Sequence, residues 1–162
     1  MSGEYRTKAY KPLSINVLNA SQMILPPMGS ELASEDVDAW VTATAYNYGD
    51  IVRSGTNYYW CVTAGGGNSG ATAPTHTDGD ASDDTLTWRY VRWIRSVVSL
   101  SNVGGGTISI ARGEDAELNK GITLFTQGAL NEGYDGPIRP YEGAWYAISD
   151  QAGGRLLAIS EG

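Results

Sequence analysis

The sequence predicts an all-β protein: a small, jelly-roll-like β-sandwich built from the two chain ends, with an aromatic-rich β module inserted between them. Three observations carry this. Apolar and polar residues alternate over short runs such as Leu13-Ser14-Ile15-Asn16-Val17, which places one set of side chains on each face of a strand. The 21 glycines punctuate such runs at short intervals, the spacing of turns between strands. No segment sustains an apolar repeat of 3.6 residues, so helix content is expected to be low. Composition shifts divide the chain at residues 1–35, 36–94 and 95–162.

The N-terminal part supplies a strand near Ile15 with one wet face. Met23-Ile24-Leu25-Pro26-Pro27-Met28 follows; its paired prolines rule out a central strand and point to a short strand running into an extended arm. Ser34 to Trp40 offers helix-start residues for one turn at most. In the middle part, Tyr46-Asn47-Tyr48-Gly49-Asp50 reads as a turn into a strand at Ile51-Val52-Arg53. Ser54-Gly55-Thr56-Asn57 is a hairpin signal, and Tyr58 to Thr63 has high β propensity. Ala64 to Asp84 reads as a long loop, and Thr85 to Val91 as a strand continuing through Trp93-Ile94. In the last part, short strands are expected at Ser96–Ser101, Thr107–Ala111, Gly121–Thr126, Gly143–Ser149 and Arg155–Ser160. A sandwich from these residues alone is marginal in size. The strand near Ile15 is therefore expected to join the C-terminal sheet, and a homo-oligomer to hide further apolar surface. The middle part then projects from a core made by the ends.

Charge narrows the function. A formal net charge of −7 without a Lys/Arg run disfavours nucleic acid, whose binding needs clustered cations, and anionic lipid. No stretch approaches the length of a membrane span. The N-terminal residues lack the apolar region of a signal peptide, so synthesis in a cytoplasm without that route of export is expected. The single cysteine, Cys61, excludes an internal disulfide and reads as a small buried hydrophobe. The single histidine, His76, falls in the predicted loop.

Catalytic or metal-binding constellations do not emerge. Asp83/Asp84, Glu114/Asp115 and Asp78/Asp80 read as solvated turn acids; neighbours in a strand point to opposite faces and do not form a glycosidase pair. Thr77 to Asp84 is oxygen-rich but lacks the closing glutamate and flanking helices of a calcium loop. The triple glycines at 65–67 and 104–106 lack the strand–loop–helix setting of a phosphate cradle. The expectation is a protein that is not an enzyme, with no metal and no cofactor.

The aromatic residues stand out. Trp40, Tyr46, Tyr48, Tyr58, Tyr59, Trp60, Trp88, Tyr90 and Trp93 crowd one part of the chain. Three readings are open: core packing, a protein interface, and a platform on which sugar rings stack. Strand alternation puts Tyr58 and Trp60 opposite Tyr59 and Cys61 without saying which side is inside. Trp40, Tyr46, Tyr59, Trp60 and Trp88 are the candidate ligand aromatics.

The order Trp40, Tyr46, Gly49-Asp50, Val52, Gly55, Tyr59-Trp60-Cys61, Pro74-Thr75-His76, Gly79, Asp84 and Leu86-Thr87-Trp88-Arg89-Tyr90-Val91 resembles a small module of tailed-phage structural proteins. That module is itself similar to short chitin-binding carbohydrate modules. In the last part, Asn119 to Leu124, Tyr141 to Ile148 and Leu156 to Gly162 resemble the closing strands of small phage head-decoration or fibre-base proteins. The resemblance implies a trimeric capsid decoration, or cement, protein bound to the major capsid protein on the virion exterior. The β-sandwich and the N-terminal arm are then expected to make the shell contacts, with Ile24, Leu25, Pro26 and Pro27 as the candidate contact residues. The alternative it leaves is a tail-fibre or receptor-binding subunit whose aromatic module adsorbs to cell-surface carbohydrate; a free carbohydrate-binding module is a further rival.

Overall fold

The computed structural model describes residues 12–133 and 140–161. Among the described residues, the regular structure is fourteen strands and one 3-10 turn at Gly29–Glu31. Two strands precede the module: β1 (Leu13–Val17) and β2 (Gln22–Leu25). Six belong to it: β3 (Ala45–Tyr46), β4 (Ile51–Ser54), β5 (Asn57–Cys61), β6 (Gly67–Asn68), β7 (Asp80–Asp83) and β8 (Leu86–Tyr90). Six follow: β9 (Val97–Asn102), β10 (Ile108–Arg112), β11 (Ile122–Leu124), β12 (Ala129–Gly133), β13 (Trp145–Ser149) and β14 (Arg155–Glu161).

The ends build a sandwich of two antiparallel four-stranded sheets, ordered β1-β14-β9-β12 and β11-β10-β13-β2. Counted among themselves, these eight strands run first-eighth-third-sixth in one sheet and fifth-fourth-seventh-second in the other. That is the double Greek key of a jelly roll. Ile15 pairs with Leu157, so the N-terminal strand joins the C-terminal sheet, as the sequence leads one to expect. Between the sheets lie Val17, Ile24, Leu25, Val98, Leu100, Ile108, Ile110, Trp145, Ala147, Leu157 and Ile159, all buried. Burial alternates along β1, β9, β13 and β14, the mark of sheets with one inner face.

The module is a third four-stranded sheet, β4-β5-β8-β7, with a two-stranded ribbon β3-β6. The β4–β5 hairpin turns at Gly55, whose φ of +61° suits glycine. Unlike the sandwich sheets, this one is covered on both sides. Tyr58, Trp60 and Val91 belong to the same apolar cluster as the sandwich core. Val52, Tyr59, Cys61, Leu86 and Trp88 form a separate small core on the other side. The middle part is therefore fused to the sandwich by one face rather than projecting freely from it.

A buried ionic contact reinforces this junction. Arg95, just after the module, is held by Glu161 at 3.3 Å and donates to the carbonyls of Tyr141 (3.0 Å) and Pro26 (3.1 Å). One guanidinium thus ties together the ends of β2 and β14 and the approach to β13. Burial pulls its pKa down, and the Glu161 carboxylate opposes that pull.

Three local expectations differ from the structure. The stretch 64–84 is not a continuous loop, because β6 and β7 lie within it. β12 is also a strand absent from the sequence reading. Asp-Ala-Ser-Asp and Ala-Leu-Asn-Glu-Gly have poor β propensity; each forms an edge strand on a neighbour already in place, so context overrides propensity. Finally, β8 ends at Tyr90, and Trp93 and Ile94 are exposed. The carbonyls of Arg92 and Trp93 accept instead from the amides of Gly29 and Ser30, which draws the chain out of the sheet.

Candidate functional site

The structure places three of the five candidate ligand aromatics in the interior. Tyr59 and Trp88 are 0% exposed and Trp60 is 1% exposed, so they are corrected from surface platform to core. The physical reason is the two-sided cover of the module sheet: alternation along β5 chooses between two cores, not between core and water. Tyr58 is buried too, facing the sandwich with Trp60, while Tyr59 faces the small core with Cys61. Tyr48 meets Trp60 edge-on at 5.8 Å, and its hydroxyl donates to the Met23 carbonyl at 2.7 Å. Burial raises the Tyr48 pKa well above that of a free phenol.

Trp40 and Tyr46 are half-buried against the small core. Tyr46 lies edge-on to Trp88 at 5.1 Å, and its hydroxyl accepts the Val41 amide at 2.9 Å. The Trp40 indole N–H is spent on Asp83. Asp83 is the polar centre of the module: one carboxylate oxygen accepts the indole N–H groups of Trp40 (3.2 Å) and Trp88 (3.0 Å), and the other accepts the Gly70 amide at 2.7 Å. The reading of Asp83 as a solvated turn acid is thus overturned, since it is 9% exposed and serves three donors. Gly70 is fixed by this contact, as a Cβ there would meet the Asp83 oxygen at 2.5 Å. Asp80 likewise pairs with Arg89 at 2.6 Å.

The candidate shell contact is also corrected. Ile24 and Leu25 are fully buried, Pro26 is buried and Pro27 half-buried. They are apolar because β2 is an edge strand of the second sheet, paired with β13 through Leu25 and Trp145. Pro26 begins where that pairing ends, as an edge strand permits.

A broad surface lies on the outer face of the sheet β1-β14-β9-β12, whose residues the sequence does not single out. Its cross-strand registers set Ser14, Ala158, Ser101 and Ala129 in one row. On one side lie Asn16 and Leu156, with Val103 beyond, its amide donating to the Leu156 carbonyl at 3.0 Å. On the other lie Ser160, Ser99 and Asn131, then Val97 and Gly133. No charged side chain occurs in these rows, in a chain of net charge −7. Small uncharged side chains on a sheet allow close approach with little desolvation, and the centres of protein interfaces are depleted in charge. Leu156, Val103 and, on the β11–β12 connection, Phe125 (68% exposed) put apolar side chains toward one end of this sheet. The signal was present in the sequence as serines and alanines alternating with the core residues of β9 and β14, but it cannot be told from an ordinary wet face until the strands are in order.

Elsewhere, a cleft of about 680 Å³ opens between residues 70–76 and 81–84. His76 borders it and packs on Tyr59 with ring centroids 4.9 Å apart, while the Tyr59 hydroxyl donates to the His76 carbonyl at 2.8 Å. Among the described residues, no cluster of three His, Cys, Asp or Glu side chains converges as a metal site would require, and no helix is long and apolar enough to cross a membrane. Cys61 is buried, and burial pushes its thiol pKa up, away from the reactive thiolate. No protein-family model matches the chain, and no curated protein matches it significantly. The fold and the face described above therefore carry the functional reading.

Proposed function

We propose that the protein is a bacteriophage structural protein that decorates and stabilises the capsid exterior, a homotrimer docked on the major capsid protein. The observation that carries this is the broad uncharged face of the sheet β1-β14-β9-β12, a surface suited to a protein rather than to nucleic acid or an anionic membrane. Jelly rolls serve in viral shells, though also in lectins and cupins, so the fold supports the reading without deciding it. With Ile24 to Pro26 buried, the shell contact expected of sandwich and arm together falls to the sandwich, on this face. Many weak copies on one particle add to a firm attachment.

The alternative of a tail-fibre or receptor-binding subunit loses its main support. It needs the five module aromatics at the surface for sugar to stack on them, and Tyr59, Trp60 and Trp88 are buried. The test is co-sedimentation with purified capsids, comparing the natural chain with Ser101→Arg. Binding in proportion to shell subunits, lost in the variant, is the expected result. A few copies confined to the tail, or no binding, would overturn the proposal.

A further inference from the structure

Among the described residues, β1 pairs with a strand on one side only, with β14. Along its other side runs a groove of about 490 Å³. Leu13, Ile15 and Leu18 line it from the sandwich, and Tyr48, Val62 and Ala64 from the module; no charged side chain lines it.

The backbone in this groove is set for another strand. The Val103 amide bonds the Leu156 carbonyl, so the polar groups of Leu156 face β9 and those of Leu157 face β1. Ile15, the partner of Leu157, therefore turns its backbone toward β14, and Ser14 and Asn16 turn theirs toward the groove. The Asn16 carbonyl does so visibly: it accepts from the Gln22 side-chain amide at 3.3 Å, and the same amide accepts the Leu18 N–H at 3.1 Å. A side-chain amide that bridges the C=O of one residue and the N–H of the residue two further on acts as the N–H and C=O of a single residue in a parallel neighbouring strand do. One position of the ladder is thus filled by Gln22, and the Ser14 position next to it faces the apolar groove. β1 carries no lysine, proline or charge, the devices that usually protect an edge.

Residues 1–11 lie outside the described part and lead directly into this edge. Tyr5-Arg6-Thr7-Lys8-Ala9-Tyr10 alternates as a strand sequence does. Residues 1–11 hold three basic and one acidic side chain, so they carry +2, and the remainder of the chain carries −7 − 2 = −9. Opposite charge favours their docking on the protein. Lys11-Pro12 does not suit the two-residue turn that would fold them back on their own β1, because type I′ requires positive φ at both positions and type II′ requires a glycine-like first residue. Extended, eleven residues reach about 36–40 Å, enough to cross to a neighbour.

We propose that the groove receives residues 5–10 of a second copy as an added β-strand, each chain giving one strand and accepting one around a closed oligomer. This rests on the oligomeric part of the proposed function and not on the capsid part. The test uses the full chain, a variant lacking residues 1–11, a labelled peptide of residues 1–11, and Ser14→Pro. The proline removes only an N–H that faces the groove, at an edge position that tolerates it, and circular dichroism checks that the fold is kept. Sedimentation is expected to give an oligomer for the full chain and a monomer for the truncated one. Fluorescence anisotropy is expected to show saturable peptide binding to the truncated chain, weakened at least tenfold by Ser14→Pro. No peptide binding, or equal binding to a folded Ser14→Pro protein, would overturn the groove. A truncated chain that stays oligomeric would overturn it too, while leaving the homo-oligomer standing. A full chain that is monomeric at every concentration would overturn both.

Discussion

Replacing Asp83 with alanine removes one carboxylate that serves three donors in the module's small core. The three losses differ. The indole N–H of Trp88 is sealed, the residue being 0% exposed, and it is left without a partner. That costs about 2 kcal/mol, within the range for an orphaned buried donor. Trp40 and Gly70 are half-buried, so water can replace part of what they lose, at about 1 kcal/mol each. The expected sum is about 4 kcal/mol, and for a chain of this length it lowers the melting temperature by about 8–16 °C. Urea unfolding followed by tryptophan fluorescence measures it directly, since Trp40 and Trp88 are themselves reporters. Asp84→Asn is the control: Asp84 is exposed, and asparagine tolerates the positive φ of +53° found there. A loss below about 1 kcal/mol for Asp83→Ala, or an equal loss in the control, would refute the assignment of Asp83 as the module's polar centre.

Other outcomes follow from the same geometry. Arg95→Met should destabilise by about 2–4 kcal/mol in denaturant titration, because it leaves the buried Glu161 carboxylate with Arg92 alone among the described residues, at 3.8 Å, and deprives two carbonyls of their donor. Trp60→Ala should lower stability by about 3–5 kcal/mol as a core deletion; a fully stable variant would contradict its burial. Cys61 should be inert to a thiol reagent at neutral pH in the native protein and react on unfolding, since its raised pKa keeps the thiol protonated there. Ser101→Arg, a half-buried position on the outer sheet face, should cost less than about 1 kcal/mol of stability, since the long side chain can extend into solvent, while abolishing capsid co-sedimentation.

The sequence carried the strands that have strong patterns. Leu13 to Val17 alternates with β-branched residues, Tyr58 to Cys61 is aromatic throughout most of its length, and Arg155 to Ser160 is largely apolar between turn signals; all lie in strands. It did not carry β7 or β12, whose residues become strands only because β8 and β9 offer them an edge. The continued strand through Trp93-Ile94 failed for the opposite reason: local propensity was high, but Gly29 and Ser30 had taken the backbone carbonyls of Arg92 and Trp93. The ligand aromatics failed on a question of layers. Alternation says that Tyr58 and Tyr59 face opposite ways, and it is silent on whether each way leads to water.

By itself, then, the sequence determined an all-β sandwich made by the two ends around an aromatic module, because period-2 patterning and glycine spacing are local properties of the chain. Only the tertiary structure decided that the module sheet has a core on each side, that Ile24 to Pro26 lie inside, and that the sheet β1-β14-β9-β12 presents an uncharged face. Each of these depends on which strands become neighbours across more than a hundred residues, as Ser14 and Ala158 do, and no local pattern records that pairing.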